Sequence, residues 1–214
     1  MRYLIVCGGK IDKEFGLNEI KTDGIDAIIA ADSGMDFLYE NGVTPDIIVG
    51  DFDSATTKAL EFFERKGQTE IHRLNPIKDD TDTEYAIRLA ISEGARSIVM
   101  LGATGSRIDH VLGNISLLGI GLESKTDISI IDTNNRIRMS DKPVTIEKSA
   151  QYGRFVSLIA VTDDNEVSLK GFKYPVTDYS FDRFTSLGIS NEIVDDHALI
   201  DIHRGKFIII ESKD

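Results

Sequence analysis

Up to about residue 122 the chain alternates short apolar runs with segments of helical periodicity, and after Lys125 no long helical pattern remains. The runs are "YLIVC" (Tyr3 to Cys7), "DAIIAA" (Asp26 to Ala31), "DIIVG" (Asp46 to Gly50), the weaker "TEIHRL" (Thr69 to Leu74) and "SIVML" (Ser97 to Leu101). Unbroken runs rich in β-branched residues, each followed by a helix, are the pattern of a parallel sheet covered on both faces. The spacing predicts helices near Gly34 to Glu40, over Ala55 to Lys66 with Ser54 as N-cap, and to about Leu122 after the fifth run. Another begins at Thr81, which stands in capping-box spacing with Glu84. Beyond Lys125, "FVSLIAV", "EVSLKGF", "ALIDIH" and "KFIIIES" predict an antiparallel sandwich or barrel. The expected organisation is an α/β domain over residues 1–125 and an antiparallel β domain over 126–214.

Parallel strands joined by right-handed crossovers have their carboxyl ends along one rim of the sheet, where ligands bind in open α/β folds. The residues following the runs are not random. "ADSG" brings Asp32, "GDFDS" brings Asp51 and Asp53, and "KDDTD" brings Lys78, Asp79, Asp80 and Asp82. "GATGSRIDH" brings Gly102, Gly105, Arg107, Asp109 and His110. Taken singly, such acids read as helix N-caps or solvated loop charges, which helix N-termini favour. Taken together on one rim they would repel and raise one another's pKa. A hard divalent cation relieves that, and Mg²⁺ is commonly held by one or two carboxylates plus substrate phosphates. In an extended segment Asp51 and Asp53 point the same way.

Charge sharpens the point. The chain carries 24 basic and 36 acidic residues, a formal charge of −12. A surface this acidic disfavours nucleic acid as the main partner. A phosphate ligand would need a cation between it and the acids. In "GATGSR", Gly102 and Gly105 let backbone N–H groups approach a phosphate, and Arg107 offers a planar cationic fork. Arg107, His110 and Asn114 fall on one helical face as a polar stripe amid Ile108, Val111, Leu112, Ile115 and Leu118, and are not expected in the core. A solvated helix face is the plainer reading of the same spacing. No apolar run approaches the ~20 residues that span a bilayer, and Tyr3 to Cys7 is too short for a signal peptide's apolar region. The single cysteine, Cys7, excludes an internal disulfide, so the cytoplasm is the expected compartment. It lies in an apolar strand and reads as a core residue. His72, His197 and His203 show no zinc-like spacing.

These strings, in order and with "TSLGISNE" (Thr185 to Glu192), resemble the thiamine pyrophosphokinase family. The resemblance covers nearly the whole chain. It implies an N-terminal α/β domain with a C-terminal antiparallel β-sandwich domain, and a homodimer binding thiamine between subunits. It also implies transfer of pyrophosphate from ATP to the thiamine hydroxyl, giving thiamine diphosphate and AMP. By resemblance, Asp51, Asp53 and Asp82, with Asp79, hold Mg²⁺, and Asp32 ligates metal or orients the hydroxyl. Arg107 and Lys78 steady phosphate oxygens. Thr81, Gly102, Thr104, Gly105, Asp109, His110 and Asn114 line the nucleotide side. Ser186, Ser190 and Asn191 read the thiamine, although the same loop is also an ordinary polar turn. A general base, if there is one, is expected among Asp32, Asp53 and Asp82 rather than at His110. The chain departs from some members in having no tryptophan to stack on the substrate, which leaves Tyr179, Phe181 or Phe184, and in "DSG" where "DGG" is common. A non-catalytic sensor and a metal-dependent phosphohydrolase are the competing classes.

Overall fold

A computed structural model describes residues 1–52, 57–75 and 80–214. The chain forms two compact units, Met1–Thr133 and Asn134–Asp214. Asp53, Ser54, Lys78 and Asp79 lie outside the described residues.

In the first unit six strands run parallel: β1 (Arg2–Val6), β2 (Ala27–Ala31), β3 (Ile47–Gly50), β4 (Glu70–Arg73), β5 (Ser97–Leu101) and β6 (Asp127–Ile131). Their order is β6-β5-β1-β2-β3-β4. The apolar runs fill both faces: Leu4, Ile5, Val6, Ile29, Ile48, Val49, Ile98 and Met100 are all buried. β6 pairs parallel with β5, with Ile98 opposite Ile128. It therefore continues the parallel sheet, although it follows the position at which the sequence suggests a change to antiparallel structure. Its parallel pairing follows from α5 (Ile108–Ser124), which provides the crossover that β5 and β6 need.

The other helices are α1 (Lys13–Ile20), α2 (Gly34–Glu40), α3 (Thr57–Lys66) and α4 (Asp82–Ser92). The Thr81 hydroxyl accepts from the Glu84 N–H at 3.2 Å, the N-cap that the spacing predicts. After β4, on the outer edge, α4 passes back over β3, β2 and β1 before the chain enters β5. That return brings its first residue, Asp82, near the carboxyl ends of β2 and β3. α1 is absent from the sequence reading; its N-cap is Asp12, whose side chain accepts from the Phe15 N–H at 2.9 Å.

The second unit is antiparallel throughout. β7 (Asn135–Ser140), β9 (Phe155–Ala160), β12 (Asn191–Glu192) and β14 (Phe207–Ser212) lie in the order β12-β9-β14-β7. β8 (Val144–Glu147), β10 (Glu166–Lys170), β11 (Val176–Ser180) and β13 (His197–Arg204) form a second sheet, β11-β10-β13-β8. Val156, Leu158, Phe207 and Ile209 from one sheet pack with Val167, Leu169, Ala198 and Ile200 from the other, which makes a sandwich. The alternation in β14 also carries Glu211 inward, where it is 0% exposed. Arg136 grips it at 2.9 and 2.7 Å, Arg138 at 2.9 Å, and the Tyr152 N–H donates to it at 2.9 Å. A buried carboxylate is tolerated because every partner is charged or a backbone donor.

Candidate active site

Three sequence-distant acids meet in the first unit. Asp32 follows β2, Asp51 follows β3 and Asp82 opens α4. Each offers a carboxylate oxygen, and the three oxygens lie within 4.8 Å of one another. All three residues are partly buried.

Local backbone explains the convergence. Asp32 sits in the left-handed region at φ +49, where Asp is tolerated better than most residues. Its N–H donates to the Val49 carbonyl at 2.8 Å, which ties the end of β2 to β3. Phe52 is also left-handed, at φ +64, which for a bulky residue is a true outlier. Two strained residues on adjacent strand ends are the pattern found where a turn must aim side chains. Gly34, the first residue of α2, lies so close to β1 that a Cβ there would run into the Val6 carbonyl oxygen. Gly102, at φ +66, similarly lies over the Cys7 carbonyl, and its own carbonyl accepts from the Gly9 N–H at 2.8 Å. The turns after β1, β2 and β5 therefore nest as bare backbone.

The electrostatics fit a cation. Burial pushes the Asp32 carboxyl above the usual carboxylate range; the charges of Asp82, Asp51 and Asp36 add to this, and a hydrogen bond from the Ser33 N–H opposes it. The Asp32 Oδ1 is buried and has no hydrogen-bond partner among the described residues. Buried carboxylate oxygens are normally paired, so this orphan is an acceptor waiting for a donor or an ion. Oxygens that share an Mg²⁺ at about 2.1 Å lie roughly 3–4 Å apart, and these three already lie within 4.8 Å of one another. The donor set therefore fits a hard dication.

At the other residues that the sequence singles out the geometry is mixed. Arg107 precedes α5 as its N-cap, and its guanidinium bonds Asp109 at 2.6 Å, both side chains exposed. That hydrogen bond holds Asp109 below the usual carboxylate range and raises Arg107. The Thr104 hydroxyl donates to Asp132 at 2.8 Å. Asn114 donates to the Ala103 carbonyl at 2.8 Å, bracing the glycine turn. The polar stripe is thus not uniform: Asn114 turns inward, whereas Ile108 and Leu112 lie exposed. The reason is that the carbonyl of the glycine turn needs a donor, and Asn114 is the side chain within reach. His110 and Gly105 are exposed.

In the second unit Ser186 and Ser190 are exposed, and Ser190 is left-handed at φ +60, its N–H donating to Ser157 at 3.0 Å. Asn191 is buried. Its oxygen accepts from the Tyr174 N–H at 3.0 Å and its amide donates to the Tyr174 carbonyl at 2.9 Å. Those bonds make it a brace for the loop. Of the three aromatic candidates, Phe181 is spent in the core, edge-on to Phe207 with centroids 5.7 Å apart. Phe184 is 93% exposed.

Residues 21–131 match the family described as thiamin pyrophosphokinase, catalytic domain, and residues 143–207 match thiamin pyrophosphokinase, vitamin B1 binding domain. The chain belongs to the thiamine pyrophosphokinase family. The thiamine pyrophosphokinase of Bacillus subtilis is 35% identical over 188 residues, 87% of each chain. A crystal structure of the enzyme from that organism superposes with a TM-score of 0.88 over 100% of both chains at 31% identity. One from Geobacillus thermodenitrificans gives 0.86 at 30% identity, over 100% of this chain and 98% of that one. Membership makes this chain an enzyme of the thiamine pyrophosphokinase type, with the two-part fold described above. No helix among the described residues is long and apolar enough to cross a membrane.

Asp132 was missed by the sequence reading. It follows the apolar end of β6, the same signal that marks Asp32, but the sequence pattern assigns that strand to the antiparallel half.

Proposed function

We propose that this thiamine pyrophosphokinase transfers pyrophosphate from ATP to the thiamine hydroxyl with Mg²⁺, giving thiamine diphosphate and AMP. Asp51, Asp53 and Asp82, with Asp79, are the proposed Mg²⁺ ligands. Mg²⁺ bound there would neutralise triphosphate charge and hold it against an acidic rim. The thiamine oxygen forms a bond to the β-phosphorus as the bond from that phosphorus to the AMP oxygen breaks. The hydroxyl proton passes to a carboxylate of the cluster, Asp32, Asp53 or Asp82. Asp32 would join the metal ligands or orient the hydroxyl, and its buried, unpartnered Oδ1 suits either role.

The chain's own residues otherwise position groups. Arg107 would exchange its Asp109 partner for phosphate oxygens, helped by Lys78. Backbone N–H groups at Gly102 and Gly105, with Thr81, Thr104, Asp109 and His110, would line the nucleotide, and Asn114 would hold the glycine turn. Ser186 and Ser190 would read the aminopyrimidine, supported by Asn191, and Phe184 or Tyr179 would supply the missing aromatic. A homodimer with thiamine at the subunit interface, working in the cytoplasm, completes the proposal.

The observation that carries it is the three-carboxylate cluster with its orphaned Asp32 oxygen, in a chain of this family. An assay of nucleotide products, with and without thiamine and Mg²⁺, tests it. AMP formed only when both are present is expected. ADP or free phosphate as the product, or turnover undiminished by a chelator, would overturn it.

A further inference from the structure

We infer that Arg73 is a positioning residue for the acidic cluster: it clamps the ring of Phe52 and so holds the turn that aims Asp51 at Asp32 and Asp82. This deepens the metal reading above and rests on it. The Arg73 guanidinium lies over the Phe52 ring, 5.3 Å from its centroid. Arg73 is also ion-paired with Glu64 of α3. The backbone adds a third tie, because the Leu74 N–H donates to the Gly50 carbonyl at 2.9 Å. β3 and β4 are already paired up to Gly50 and Arg73, so the clamp begins where the ladder ends.

Phe52 needs such a clamp. At φ +64 an aromatic residue is strained and persists only where its surroundings over-determine it. Gly50 makes room: a Cβ there would press on the Phe52 ring at 3.1 Å. With the ring in contact with both the glycine and the guanidinium, the turn is fixed and the preceding residue, Asp51, faces the cluster. Arg is the suitable cation, because a flat guanidinium can stack on a ring while pairing with a carboxylate.

Charge and positioning predict opposite signs. If Arg73 were only a nearby positive charge, removing it would strengthen cation binding at the acids. If it positions them, removing it weakens binding. The measurement is Mn²⁺ affinity from the free-ion electron paramagnetic resonance signal, on the purified protein without nucleotide. Arg73→Gln is expected to weaken Mn²⁺ binding by about two- to tenfold, the weight of one cation–π contact. Phe52→Leu, which changes no charge, is expected to do the same. Arg73→Lys keeps the charge but not the flat stack and should restore only part of the affinity. Melting temperatures report folding separately, and Asp51→Asn serves as the reference for a lost ligand. An Arg73→Gln protein that folds and binds Mn²⁺ as tightly as wild type, or more tightly, while Asp51→Asn binds it weakly, would overturn the inference alone. Wild-type protein that binds no Mn²⁺ at millimolar concentration would overturn the metal reading and this inference with it.

Discussion

Asp32 carries two burdens at once, a left-handed backbone and a carboxyl that burial and three acidic neighbours push toward its neutral form. Asn tolerates the same backbone and carries no charge. Asp32→Asn should therefore make the metal-free protein slightly more stable at pH 7, by less than about 1 kcal/mol once solvent screening is counted. The same change should lower turnover by about 100-fold or more. Urea unfolding with chelator present, set beside the product assay, checks both halves; a less stable Asp32→Asn protein would show that the carboxylate has an unrecognised partner. Cys7 offers a second test. Burial pushes its thiol up to about 12, while a weak contact from the Thr83 hydroxyl at 3.8 Å pulls the other way. At pH 8 the thiol is therefore overwhelmingly protonated, and it is buried. Alkylation by iodoacetamide should thus be undetectable in the native enzyme at pH 8 and complete in urea. Rapid native labelling would mean that β1 opens locally.

Helix ends and turns decide how the elements fit, and glycines there differ sharply. A Cβ at Gly34 would collide with the Val6 carbonyl, whereas one at Gly113 in α5 meets nothing within 4 Å. Gly34→Ala should destabilise by about 1–3 kcal/mol, because backbone has to move. Gly113→Ala should stabilise by about 0.5–1 kcal/mol, because a helix interior favours Ala. Thermal melting of the two variants gives opposite shifts if this is right. The sequence carried much of this element-scale logic. β1, β2, β3 and β5 announce themselves by unbroken apolar runs, and α4 by its Thr81 cap. The convergence of Asp32, Asp51 and Asp82 follows from topology, since parallel strands share a carboxyl rim. What the sequence hid depends on three-dimensional pairing. The partner of β6 is chosen by a crossover, not by its own pattern. The inward turn of Asn114 and the bracing role of Asn191 depend on which backbone carbonyls lack donors. The clamp on Phe52 joins residues 21 positions apart, and neither belongs to a residue type that marks a site.

At the scale of the whole molecule the net charge of −12 acts on both proposed substrates, with opposite sign. Thiamine is a cation, so the protein's field draws it in, whereas Mg²⁺-bound ATP remains an anion and must approach against that field. Raising ionic strength from 0.01 to 0.15 M shortens the screening length from about 30 to about 8 Å. Long-range attraction for thiamine should then fade, and its kcat/KM should fall a few-fold. Repulsion of the nucleotide should fade as well, and its kcat/KM should rise or hold. The short-range contacts proposed at Ser190 and Arg107 would be screened far less, so the residual values at high salt would report the pocket itself. Steady-state kinetics over this range, varying one substrate with the other saturating and a neutral osmolyte as control, measures both slopes. If both slopes fall together, the global field is not steering these ligands, and recognition rests on local charges such as Arg107 and Lys78 instead.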